Sequence, residues 1–134
     1  MTLSRLQAGR QWVWVEGNHD PGAPGLGGSF RGEVSTGPLV FRHIARPGAA
    51  AEISGHYHPK ATLSVKGRHI SRPCFMFDEA RLIMPAYGTY TGGLRWHEPA
   101  LRGLFAETAF AGLLGDRVRV IPVPALAPRT RSSA

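Results

Sequence analysis

Disulfides are excluded at the outset, because Cys74 is the only cysteine in the chain. A chain without them suits a reducing compartment. Cys74 sits in the apolar run Arg72-Pro73-Cys74-Phe75-Met76-Phe77 and reads as a small buried residue. Long hydrophobic runs are missing too. No stretch approaches the roughly 18 apolar residues of a membrane span, and residues 1–7 lack the apolar segment of a signal peptide. The expectation is a soluble, cytoplasmic protein. Acid is the third scarcity: nine Asp and Glu stand against sixteen Lys and Arg, a formal charge of +7. Such a surface favours polyanions such as nucleic acid, through phosphate contacts and counterion release. Arginine supplies most of that charge, and Ala, Gly and Pro are also abundant. A GC-rich coding bias accounts for the same composition, so charge alone does not decide.

At 134 residues the chain is one small domain or part of a larger one. Residues 3–10 read as a helix closing at Gly9. Residues 11–16, rich in β-branched and aromatic side chains, read as a strand, and their nearly unbroken apolarity suits burial on both faces. An irregular Gly/Pro loop follows over residues 21–29. Strands are expected at 30–35, 38–44 and 51–54, with His43 near the end of the second. Residues 61–65 and 69–77 read as two β segments joined by Lys66-Gly67-Arg68, followed by a strand at 81–84. A glycine-rich loop covers 87–93, a short helix falls within 99–108, and a last strand covers 117–121. The domain is expected over residues 1–123, with 124–134 a disordered tail. The reading is strand-rich α/β with its few helices at the ends.

Two short motifs carry the chemistry. Gly17-Asn18-His19-Asp20 and Gly55-His56-Tyr57-His58 each follow an apolar strand, and His43 stands at a strand end between them. In an extended strand alternate residues share a face, so His56 and His58 are expected to aim both imidazoles into one pocket. A two-metal centre holds its ions roughly 3.5–4 Å apart, so such a pair can offer one ligand to each. Asn18 adds a neutral oxygen and His43 another nitrogen. A mixed N/O set suits Mn, Fe or Zn. Either motif alone is weak support for metal, because His-x-His arises often on surface strands. Both, in this order and with His43 between, are a far more specific signal.

The chain resembles the C-terminal part of the calcineurin-like metallophosphoesterase superfamily. That superfamily carries Asp-x-His, Gly-Asp, Gly-Asn-His-Asp/Glu, a further His, and Gly-His-x-His in order; this chain has the last three. The text around His43, around Glu52 to Pro59, and over residues 82–93 is similar to the ligase-associated DNA damage response endonuclease subfamily (PdeM type). The resemblance implies the C-terminal part of a four-layer αββα sandwich with its site at strand ends. It implies that Asn18, His43 and His56 bind one metal and His58 the other, Mn²⁺ in the first place. It makes His19 the group that protonates the leaving oxygen or stabilises charge beside the phosphate, with Asp20 orienting it. It implies hydrolysis of DNA phosphodiesters in repair, with a DNA ligase or helicase as partner.

The chain also departs from the family pattern. Sixteen residues precede Gly17 and none is Asp or His, so the bridging carboxylate has no counterpart. Glu52, Asp78, Glu79 and Asp116 match no family ligand position. The expectation is therefore a partial domain, inactive alone, with Met1 either a mis-assigned start or the start of a genuine half. A second function remains open: a non-catalytic basic module that binds nucleic acid or a partner, its metal half-site vestigial. A cupin-like barrel is disfavoured, because no acid occurs between Pro59 and Val65. His69 and His97 are read as surface or structural residues, and Trp12 and Trp14 as core, while Trp96 is expected to be partly exposed. Arg42, Lys60, Arg68 and Arg72 are either phosphate contacts or a solvated face. The loop at 87–93 either lines a substrate groove or simply turns the chain.

Overall fold

The structure, a computed structural model, describes residues 2–17, 25–88 and 92–126. The expected site residues Asn18, His19 and Asp20 lie outside the described residues, as does most of the expected tail, residues 127–134.

A short helix, α1 (Leu3–Gln7), opens the chain. Gly9 takes φ +66°, a conformation open to glycine without strain, and the Arg10 guanidinium donates to the Leu6 carbonyl at 2.9 Å. Strand β1 (Val13–Val15) then pairs in parallel with β2 (Ser29–Arg31). The other strands form one mixed sheet: β3 (Glu33–Thr36), β4 (Leu39–Arg42), β5 (Glu52–Ser54), β6 (Lys60–Val65), β7 (Arg68–Phe77), β8 (Arg81–Ile83), β9 (Phe110–Leu113) and β10 (Arg119–Pro122). The order is β10-β9-β7-β8-β5-β4-β3, with β6 on the outer half of β7. β4, β5 and β8 run parallel to their neighbours within this trio; every other pairing in this sheet is antiparallel. The described residues are thus strand-rich with few helices, as expected for the C-terminal part of an α/β fold.

β7 is long because it does two jobs. Its first half, Arg68 to Pro73, pairs with β6, and its second half, from Cys74 to Phe77, pairs with β9 and at its end with β8. Lys66 and Gly67, with φ +49° and +74°, make the two-residue hairpin turn whose twist suits the flanking strands. The core lies where this hairpin meets the helical side: Ala61, Cys74, Met76, Ile83, Trp96, Leu101, Phe105 and Ala111 are buried together.

Three expectations are corrected here. Trp12 and Trp14 are half-buried rather than core, and Trp14 stacks on Phe30 at 6.2 Å, because β1 belongs to a small two-stranded sheet among the described residues. Trp96 is the buried one, 5 % exposed, its backbone N–H bonded to the Lys60 carbonyl at 2.8 Å. The short helix expected within 99–108 is present, as α2 (Pro99–Arg102). The buried Arg102 guanidinium gathers the carbonyls of Ala106, Glu107 and Pro124, at 2.8, 2.6 and 3.0 Å, so the chain turns around it instead of continuing the helix. β9 was not expected at all: Phe110-Ala111-Gly112-Leu113 has neither β-branched residues nor alternation, and it is a strand only because β7 and β10 flank it. Val123, just past β10, is in the core, so the ordered domain reaches at least this far.

Candidate functional site

The carboxyl ends of parallel strands are where sheets of this kind bind ligands. β4, β5 and β8 end side by side: the Gly55 N–H donates to the His43 carbonyl at 3.0 Å, and the Met84 N–H to the Ser54 carbonyl at 2.8 Å. His43 follows β4 directly, and His56 comes two residues after β5. Gly17, two residues past β1, lies against the His43 ring; a β-carbon there would stand 3.1 Å from His43 Cε1. Three strand ends from separate parts of the chain thus meet at His43.

His43 Nε2 and His56 Nδ1 are 3.1 Å apart, their rings tilted at 75°. Two nitrogen ligands of one ion, bound at about 2.0–2.1 Å, stand roughly 3.0–3.4 Å apart in octahedral or tetrahedral geometry. The observed spacing fits a shared ion. Without one, a single proton bridges the two neutral rings, one nitrogen donating and the other accepting. Among the described residues, no group of three or more His, Cys, Asp or Glu comes together as a metal cluster. What the described residues bring together is a two-nitrogen half-site.

The backbone at the second motif differs from the extended strand expected. His56 has φ +63° and His58 φ +47°, both in the left-handed region. The Tyr57 N–H closes a three-residue turn on the Gly55 carbonyl at 2.7 Å, a tight γ-type turn centred on His56. Such strain persists only where the surroundings enforce it. Here the segment around Gly93 and Leu94 does so: Leu94 N–H donates to the Tyr57 carbonyl at 3.0 Å, and Lys60 N–H to the Leu94 carbonyl at 2.9 Å. Gly93, at φ +112°, packs so closely on the His58 carbonyl that any β-carbon would overlap it. His56, Tyr57, His58, Gly93 and Leu94 line a small cleft. Burial first, and the charge of His56 second, push the His58 imidazole below its ordinary value of 6.5, which keeps its lone pair available near neutrality.

Beneath the strand ends lies a network that sequence reading missed. Glu52, 1 % exposed, pairs with Arg42 of β4 at 3.3 Å and Arg81 of β8 at 3.4 Å, and accepts the Arg46 backbone N–H at 2.9 Å. One carboxylate therefore ties together the three strands whose ends carry the site. Arg42, expected as a phosphate contact or a solvated group, is instead held by Glu52 and Glu33. The only sequence signal was an acid inside a short apolar strand, with Arg at the ends of two others. Asp78 is a turn former, accepting the N–H groups of Ala80 and Arg81 at 2.8 and 3.0 Å. His69 and His97 are exposed, in keeping with a surface reading.

No helix among the described residues is long and apolar enough to cross a membrane. No protein-family model matches the chain, and no curated protein matches it. Among solved structures it is similar to the Pseudomonas putida nuclease MPE, with 29% sequence identity and a TM-score of 0.59. The similarity covers 84% of this chain and 53% of the nuclease, so the chain spans about half the length of that protein.

Proposed function

We propose that this chain is part of a metal-dependent phosphodiesterase that cleaves DNA, built as the C-terminal part of a four-layer αββα metallophosphoesterase sandwich. The observation that carries this reading is the 3.1 Å approach of His43 and His56 at converging strand ends, on a fold similar to a nuclease. In this reading Asn18, His43 and His56 hold one divalent ion and His58 holds a second, with Mn²⁺ preferred and Fe or Zn alternatives. The ions would supply charge neutralisation at the phosphate and an activated water. His58, neutral near pH 7, offers a nitrogen without first losing a proton. His19 protonates the leaving oxygen and Asp20 orients its ring. The Glu52 network holds the strand ends in register, and the clamp at Gly93 keeps the His56–His58 turn in its strained form.

A second reading is a non-catalytic module that binds nucleic acid or a partner such as a ligase or helicase through its basic surface. It is favoured by the two-nitrogen half-site and the charge of +7.

Calorimetric titration with Mn²⁺ and Zn²⁺ decides between them. The phosphodiesterase reading expects binding that is lost in His43→Ala and in His56→Ala and retained in His97→Ala, together with Mn²⁺-dependent hydrolysis of bis-p-nitrophenyl phosphate. Titrations in which neither histidine variant differs from the parent chain would leave only the binding module.

A further inference from the structure

Strand β7 has one edge left open along its first half. The N–H and C=O of one residue point to the same edge of a strand, and successive residues alternate. The Pro73 carbonyl accepts the Leu114 N–H at 3.1 Å, on the β9 side, and the Cys74 N–H donates to the Pro59 carbonyl at 3.0 Å, on the β6 side. Ser71 and His69, in step with Pro73, therefore turn their backbone groups to the β9 side. Among the described residues no strand meets them there. β9 pairs with β7 only from Cys74 to Phe77, and after Leu114 the chain turns away into β10.

The fork between the β6–β7 and β9–β10 hairpins holds a groove of about 560 Å³. Its floor is apolar: Leu63, the cross-strand partner of Ile70, and Leu113 both extend the core. Arg72 and Arg119 stand on the same face, because Arg72 is two residues from Ile70 and Arg119 is paired with Leu113. Arg117 joins them from the β9–β10 turn, where Asp116 is the one acid in the lining. Among the described residues no carboxylate lies within ion-pair distance of these three arginines. None of the lining residues belongs to the histidine cleft.

We infer that this fork is a docking site for an extended acidic segment of a partner protein, added as a strand to the open edge of β7. Three features fix the occupant. The edge offers backbone groups at Ser71 and His69, about 7 Å apart, which is the repeat of another extended peptide. The apolar floor takes an aliphatic side chain, which a sugar-phosphate backbone does not carry. The arginines take carboxylates on either side of it, and they repel the chain's own last residues, where Arg129 and Arg131 are the charged side chains. The inference rests on neither reading of the histidine site, since it uses none of those residues.

The test is fluorescence anisotropy of a labelled nonapeptide of Asp and Glu with a central Leu, titrated with the full chain in EDTA at physiological salt. Arg72→Ala with Arg119→Ala is expected to weaken binding about tenfold, and Arg5→Ala with Arg31→Ala, which removes equal charge from exposed positions elsewhere, to leave it in place. A peptide with Ser for the central Leu should bind more weakly than the parent peptide. Ser71→Pro takes the N–H off the open edge without touching the bonds to β6, and binding is expected to be lost. Peptides N-methylated at alternate residues probe the same edge with the protein unaltered: one phase should lose binding and the other keep it. The docking site is overturned if the two alanine pairs weaken binding equally, if the two N-methylated peptides bind alike, or if an oligodeoxynucleotide of the same net charge displaces the peptide as well as unlabelled peptide does. A dimer in sedimentation equilibrium that Ser71→Pro splits makes the occupant a second copy and overturns it too.

Discussion

His43 Nε2 lies 3.1 Å from His56 Nδ1, across 13 positions of sequence and between two parallel strands. Two imidazolium rings cannot occupy that arrangement, and two neutral ones need opposite roles. A divalent ion held by His43 and His56 would remove the conflict, since each ring could then offer it a lone pair.

Metal should therefore stabilise the fold. At a free ion concentration of about 100 Kd the expected gain is about 2.7 kcal/mol. Thermal melts with and without Mn²⁺ check this. His43→Ala and His56→Ala should each abolish the gain, and lowering the pH to 5 should reduce it as protons compete for the same nitrogens.

Glu52 is the single acid between Arg42 and Arg81, and its Oε1 approaches Arg81 Nη1 at 3.4 Å without hydrogen-bond alignment. Glu52→Ala leaves the buried Arg81 guanidinium without a carboxylate, while Arg42 keeps Glu33 at 3.2 Å, at a cost of about 3–5 kcal/mol. Urea unfolding followed by circular dichroism measures it. Replacing Arg42, Glu52 and Arg81 together by Met should cost less than Glu52→Ala alone, because no charge is then left unpaired.

Gly93→Ala meets both a left-handed backbone and the His58 carbonyl. The expected loss is at least about 1 kcal/mol of stability. Displacement of the His56–His58 turn should also lower Mn²⁺ affinity. Gly32→Ala, where a β-carbon meets open space, serves as the comparison and should leave metal affinity unchanged.

The Cys74 thiol is fully buried, and burial pushes it up to about 12, against a smaller opposing contribution from its hydrogen bond with the Ala61 backbone. Iodoacetamide at pH 8 should label it only as fast as the protein unfolds. Labelling of the folded chain at the rate of a free thiol would contradict this. Cys74→Ser, which places a hydroxyl in the same apolar site, should cost about 1–3 kcal/mol.

His58 titrates below 6.5 in the folded chain, first through burial and then through His56. Between its folded value and 6.5 the unfolded chain binds more protons at this position, so stability rises with pH across that window and falls as pH is lowered through it. His58→Gln should flatten the slope of unfolding free energy against pH below 6.5. An unchanged slope would show that His58 is as solvated folded as unfolded.

Much of the local structure was legible in the sequence. The close of α1 at Gly9, the hairpin turn at Lys66 and Gly67, and the strand-end position of His43 follow from short-range rules of backbone freedom and side-chain branching. Local rules fail where a neighbour distant in sequence decides. β9 has no strand signal of its own and owes its form to β7 and β10. Burial at Trp96 rather than Trp12 depends on which sheet each strand joins, which hydrophobicity does not encode. The alternation rule placed His56 and His58 in an extended strand, yet the clamp from Gly93 and Leu94 holds both in left-handed backbone. The sequence by itself determined which residue types stand at which strand ends. Only the tertiary structure decided that Gly17, His43 and His56 meet, because that meeting rests on the parallel pairing of β4, β5 and β8 around one buried carboxylate.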